Sequence, residues 1–140
     1  MILLDTNVLS EFMKPRPEPQ VLAWIDSKDP GELATCTIVL AELLAGLDLM
    51  PDGNRQRQLR EKAEYMFSAL FADRIFDLDV SAARMFGTVL KMRASMGRPI
   101  DDMDALIAAT ALTKGVTLAT RNIPDFEHCG IQLINPWEAI

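Results

Sequence analysis

The chain has 140 residues, about half of them apolar (49%), and carries 14 Lys and Arg against 20 Asp and Glu for a net charge of −6. That is the size of one domain with enough apolar surface for a core, and the charge excludes a surface that is basic throughout. Two cysteines outside any CxxC spacing and a single histidine exclude a cysteine–histidine zinc site.

Ile2-Leu3-Leu4 reads as a short buried strand that stops at Asp5. Asp5-Thr6-Asn7 offers caps for a short helix carrying Val8, Leu9 and Phe12, which the prolines between Lys14 and Pro19 end. Val21 to Asp26, holding Trp24, is a further helix, and Glu32 to Cys36 is a second strand. Thr37 is the expected cap of a helix that runs to Met50 and is apolar almost all round, so it is expected to be buried. Pro51-Asp52-Gly53-Asn54 is a turn, Arg55 to Phe71 a long amphipathic helix with a basic start, and Arg74 to Leu78 a third strand. Ser81 to Met96 is helical, Gly97-Arg98-Pro99 breaks it, and Asp101 to Lys114 is helical again with Gly115 as C-cap. Val116 to Ala119 and Ile131 to Ile134 are the last strands. Trp24, Met66, Phe67 and Phe71 are expected in the core, with Phe86 and Met92 at an interface.

Strands alternating with helices predict an α/β fold, a single domain over 1–140, with a mainly parallel central sheet and helices on both faces. Sites in such sheets lie beyond the carboxyl ends of the strands, where Asp5 and Thr120-Arg121-Asn122 fall. The first apolar run is too short for a signal peptide, and no run approaches the length of a membrane span. With two unpaired cysteines, a soluble cytoplasmic domain is expected.

Three acids stand where acids are expensive. Asp5 ends a buried strand, where helix capping is the plain alternative. Glu42 shares a helical face with Ile38, Ala45 and Leu49, and burying it unpaired costs several kcal/mol, so it needs an arginine or a ligand. Asp104 lies a turn into its helix on the face of Ile107, Ala108 and Ala111, beyond Asp101 and Asp102, which the helix dipole favours at its start. Thr120, Asn122 and Asp125 follow the fourth strand, where a capped turn is the alternative. If the carboxylates converge they repel one another, and a cation makes that tolerable. An oxygen-only set suits Mg²⁺ or Mn²⁺, and a water activated there could hydrolyse a phosphodiester.

With these residues in place, the chain resembles PIN-domain ribonucleases of the VapC toxin type almost end to end. MILLDTNVLSE matches the first motif of that family, TIVLAELLAG the second, GRPIDDMDALIAATAL the third and LATRNIPDF the fourth, and INPW closes the chain as in many relatives. The resemblance implies a PIN-like three-layer sandwich. It implies a metal-dependent endoribonuclease that cuts tRNA, rRNA or other RNA and stops translation. Asp5, Glu42 and Asp104 would be the metal-site acids, with Thr120, Asn122 and Asp125 shaping the metal and water site. It further implies a small VapB-type antitoxin that carries the DNA-binding domain, a homodimer, and larger complexes with the antitoxin. DNA would be met only through the antitoxin. Many relatives have an aspartate at the position of Asn122, which bears on whether one or two metals bind.

RNA binding needs local cations despite the net charge. Lys14, Arg16, Arg98 and Arg121 are the candidates, with Arg55, Arg57, Arg60 and Arg93 further along. A dehalogenase-like phosphatase would need a DxD where this chain has Asp5-Thr6-Asn7. A response-regulator domain would need a lysine after a late strand, where Thr120 and Arg121 stand. A catalytically silent PIN-fold interaction module is the remaining alternative.

Overall fold

The computed structural model describes residues 1–139. Five strands, β1 (Ile2–Leu4), β2 (Leu33–Cys36), β3 (Ile75–Phe76), β4 (Thr117–Ala119) and β5 (Leu133–Ile134), form one sheet. Its order is β3-β2-β1-β4-β5, and every neighbouring pair is parallel. Seven helices fill the crossovers: α1 (Thr6–Met13), α2 (Pro19–Asp26), α3 (Thr37–Asp48), α4 (Asn54–Tyr65), α5 (Val80–Ser95), α6 (Asp102–Lys114) and α7 (Ile123–Phe126). Right-handed crossovers put α1 to α4 on one face of the sheet and α5 to α7 on the other. Accordingly α1 packs on α2, α3 and α4, while α6 packs on α5 and α7. This is the expected three-layer α/β sandwich.

The middle of the sheet is dry. Leu3, Leu4, Ala34, Leu118 and Ala119 have no exposed surface. On α6, Ala105, Ala108, Ala109 and Ala111 are fully buried, and such small side chains let a helix backbone approach its neighbours closely. Gly115 ends α6 in the left-handed conformation (φ 65°), which glycine adopts without a Cβ penalty. The edge strands β3 and β5 are two residues each.

Several local expectations change, among them the fifth strand, which keeps only Leu133 and Ile134 of the expected Ile131 to Ile134. The cap of α3 is Cys36 rather than Thr37, because β2 runs into the helix with no intervening loop. The Thr37 hydroxyl instead accepts the Leu78 N–H at 3.1 Å. The long basic helix ends at Tyr65 and continues as a π-helical turn, Met66–Leu70, closed by the Phe71 N–H on the Met66 carbonyl at 2.9 Å. That wider turn leaves Met66, Phe67 and Phe71 buried as expected. The third strand keeps only Ile75 and Phe76 of its expected length. Finally, α3 is not buried all round. Ile38, Val39, Leu43 and Leu47 face the core, whereas Ala41, Ala45 and Gly46 are exposed and Leu49 is 87% exposed.

Candidate metal and phosphodiester site

Strand order reverses direction around β1: its sequence successor β2 lies on one side and β4 on the other. The carboxyl ends of β1 and β4 therefore open a crevice at the switch point. Leu4 pairs with Ala119, and the Asp5 N–H donates to the Ala119 carbonyl at 3.0 Å, so Asp5 and Thr120 leave the sheet side by side.

Asp5 is 4% exposed and does two jobs. Its Oδ1 accepts the Thr6 N–H at 2.8 Å, capping α1. Its Oδ2 accepts the Thr120 hydroxyl at 2.7 Å, with Asn7 Nδ2 at 3.5 Å. Burial pushes its carboxyl up; the bonds from Thr120 and Thr6 oppose this, and Asp125 adds a like charge. Asp5 thus caps α1 and also faces the crevice.

Glu42 projects from α3 and is half-buried, with no arginine partner among the described residues. The Thr6 hydroxyl donates to its Oε1 at 2.9 Å. Burial raises its carboxyl, Thr6 opposes, and the charges of Asp5 and Asp101 add to the rise. Asp104, in the first turn of α6, is also half-buried. Its carboxyl is pushed up to about 7, first by burial and then by Asp5, Glu42, Asp101 and Asp125. The dipole at a helix start favours a carboxylate. Burial and then the other acids outweigh it here.

Thr120 has no exposed surface, and its hydroxyl is saturated. It donates to Asp5 and accepts from Asn7 Nδ2 at 3.3 Å and from the Asn122 N–H at 3.1 Å. Asn7 Oδ1 in turn accepts the Arg121 N–H at 3.2 Å, so one amide side chain clamps the β4 exit to the β1 exit. Asn122 and Asp125 are exposed; the Asn122 carbonyl accepts the Asp125 N–H at 3.1 Å and starts α7. Asp125 acts on the cluster as a charge.

Sequence reasoning read Thr6 and Asn7 only as caps. Both orient site groups instead: Thr6 holds Glu42, and Asn7 holds Thr120. Their position directly after Asp5 was the available signal, since a chain leaving a strand end at the crevice carries its next side chains into it. Arg93 corrects the opposite way. It is 4% exposed, and its guanidinium donates to the carbonyls of Arg98, Pro124 and Glu127, so it braces the α5–α6 connection and the region of α7 rather than meeting RNA. Cys36, under the crevice, is fully buried, and its thiol is pushed up to about 11 by burial and then by the charges of Asp5 and Glu42, against its bonds with Val39 and Ile38.

The donors are oxygen atoms only, drawn from β1, α3 and α6, and like charge raises each of them. That chemistry fits a hard divalent cation. As placed, no three Asp, Glu, His or Cys side chains among the described residues are grouped to hold an ion.

The chain is similar to proteins of known family and structure. A family model described as the PIN domain matches residues 2–128. The chain is 44% identical to the plasmid stability protein StbB of Pseudomonas syringae pv. tomato, covering 99% of this chain and 100% of that one. It is 39% identical to the VapC ribonuclease Y4jK of Sinorhizobium fredii, over 99% of both chains. The crystal structure of FitAcB from Neisseria gonorrhoeae superposes with a TM-score of 0.92 at 36% identity, covering 99% of this chain and 100% of that one.

Proposed function

The chain belongs to the PIN-domain family, and from that premise we propose that it is a metal-dependent endoribonuclease toxin that cuts cellular RNA, such as tRNA or rRNA, and stops translation. One observation carries the reading: carboxylates from three separate elements face the switch-point crevice, each raised first by burial and then by like charge, with Asp104 at about 7. A fold gains nothing from such an arrangement unless a cation or its substrate is meant to resolve it.

Asp5, Glu42 and Asp104 would hold Mg²⁺ or Mn²⁺, with Asp125 contributing from the rim. When bound, the metal supplies Lewis acidity toward water and phosphate. The protein does the rest. Thr120 fixes Asp5 Oδ2 and Thr6 fixes Glu42 Oε1, so two acids are aimed before substrate arrives. Asn122 stands at the rim, able to hydrogen-bond a phosphate oxygen or an attacking water. A carboxylate of the cluster accepts the proton that this water loses.

The partners follow the same premise. A VapB-type antitoxin carrying the DNA-binding domain neutralises the toxin, and DNA is met through it. Among relatives of known structure, FitAB is seen bound to a DNA fragment. The exposed side of α3 with Leu49 suits a homodimer contact. No described helix is long and apolar enough to cross a membrane, and we place the protein in the cytoplasm. Among the RNA-contact candidates, Lys14 and Arg16 are exposed beyond α1. Arg98 reaches Glu127 at 3.3 Å, and Arg121 lies 5.1 Å over the Trp137 ring.

The test is cleavage of total RNA by antitoxin-free protein with Mg²⁺ or Mn²⁺, against EDTA and a folded Asp104→Asn control. Loss in both controls supports the reading, and retained cleavage in Asp104→Asn overturns it. The spread carboxylates favour one alternative, a silent PIN-fold interaction module. Absence of divalent-metal binding by calorimetry would select it.

A further inference from the structure

Resting on the nuclease reading, we propose that single-stranded RNA enters along the groove between α1, α3 and α4, with its backbone phosphates held by Arg55 and Lys62. The groove has a volume of about 610 Å³. Its lining includes Thr6 and Glu42, so it reaches one of the three acids. The other charged groups in its wall are Lys14, Arg55 and Lys62, which makes it locally cationic in a protein of net charge −6.

The cations near the groove differ in the partners they already hold. Arg57 is held by Asn54, and Arg60 by Asp48 at 2.5 Å. Lys14 is held by the buried Glu11 at 2.8 Å. Arg55 has no charged partner among the described residues, and Lys62 reaches only the Met13 carbonyl at 3.4 Å. Arg55, Gln58 and Lys62 lie at i, i+3 and i+7, on one face of α4 and all exposed. The seven-residue separation spans ~10 Å along the helix. That distance covers about three nucleotides of a stacked strand at ~3.4 Å each. The rest of the wall, including Met13, Leu43, Leu47 and Leu59, gives bases an apolar surface. Continuity with the acids favours an RNA strand over a protein segment as the occupant. It also explains how an acidic protein holds a polyanion: the cations are concentrated on the approach, and the acids wait at its end.

The experiment uses the full chain carrying Asp104→Asn in metal-free buffer, with a fluorescein-labelled 12-nucleotide single-stranded RNA of mixed sequence read by anisotropy across a salt series. Arg55→Gln/Lys62→Gln is compared with Arg84→Gln/Lys91→Gln, which removes two exposed cations of α5 outside the groove. Melting curves confirm that each variant folds. The groove pair is expected to weaken binding ~10-fold at 0.1 M salt and to flatten the log–log salt slope by ~1.4, two phosphate contacts' worth; the α5 pair should change neither. With Asp104 restored, the groove pair should raise KM and leave kcat in place. An unchanged slope, or an equal loss in the α5 pair, overturns the track while leaving the nuclease reading intact. A groove variant altered only toward an acidic amphipathic peptide reassigns the groove to a protein partner and overturns the track as well. If wild-type protein neither binds nor cuts RNA, the nuclease reading itself falls.

Discussion

Glu11, near the end of α1, and Asp104, in the first turn of α6, are both carboxylates withdrawn from solvent, and the chain treats them in opposite ways. Glu11 is 4% exposed and fully engaged: the Lys14 ammonium lies at 2.8 Å and the Glu18 N–H at 2.7 Å. Burial alone would raise its carboxyl, yet the bonds from Lys14 and Glu18, with the charges of Lys14 and Arg121, bring it below the usual range. Asp104 is less buried but faces acids and is pushed up to about 7. The difference separates structure from chemistry. A carboxylate that staples the chain is supplied with donors by its own neighbourhood; one left among its own kind has its charge unanswered by the fold.

The largest expected effect breaks that comparison at the chemical end. Asp104→Asn should lower RNA cleavage by about 10³-fold or more, as removal of a group acting directly on the reaction does, while Glu11→Gln in folded protein leaves kcat nearly unchanged. Steady-state cleavage kinetics on both variants check it. The same Asp104→Asn change removes repulsion, so the metal-free variant should melt a few degrees higher than wild type in calorimetry.

At the structural end the effect is on stability. Glu11→Ala strands the Glu18 N–H and frees Lys14, a loss of ~2 kcal/mol. Its melting temperature should fall by ~6 °C. Next comes the clamp between the two strand exits. Asn7→Ala removes the donor to Thr120 Oγ1, and divalent-metal affinity measured by calorimetry should weaken ~10-fold, in the range found for outer groups that orient metal ligands. Unchanged affinity would make Asn7 a loop anchor only.

The smallest effect is the pH dependence of metal-free stability. The Asp104 carboxyl is raised in the folded state, so its contribution is fully present below its unfolded value of 3.8 and is lost as pH rises through about 7. Glu11, lowered, contributes above its unfolded value of 4.5 and loses that contribution as pH falls through its folded value. Melting temperature should therefore decline from pH 5 to pH 8 without metal, flatten with Mg²⁺, and flatten in Asp104→Asn. A profile that still declines equally in Asp104→Asn would remove the acid cluster as its cause.

Much of this was legible because periodicity and strand-end position are local. The order of elements, the parallel sheet, the capping by Asp5 and the C-cap at Gly115 follow from residues close in sequence, as does the core placement of Trp24 and Phe67. What failed depended on neighbours distant in sequence. An apolar helix such as α3 announces its composition, not which side the sheet will cover, so the exposed Leu49 was unforeseen. Arg93 looked like a surface cation until three carbonyls from the α5–α6 loop and around α7 closed on it. Thr6 and Asn7 are short polar residues at a helix start, where capping explains them; only the approach of α3 and β4 reveals Glu42 and Thr120 as their partners. The π-helical turn after Tyr65 carries no mark in an otherwise helical pattern.

The two-residue edges of the sheet have a consequence for recruitment. An edge strand of ordinary length displays a row of free N–H and C=O groups on which another chain can lay a further strand. Here β3 and β5 offer too few, and the sheet cannot be lengthened by a visitor. A partner must grip helices and side chains instead, so the choice of companion is written in side chains rather than in the backbone. By the same token, the chain on its own would be slow to nucleate strand-paired aggregates.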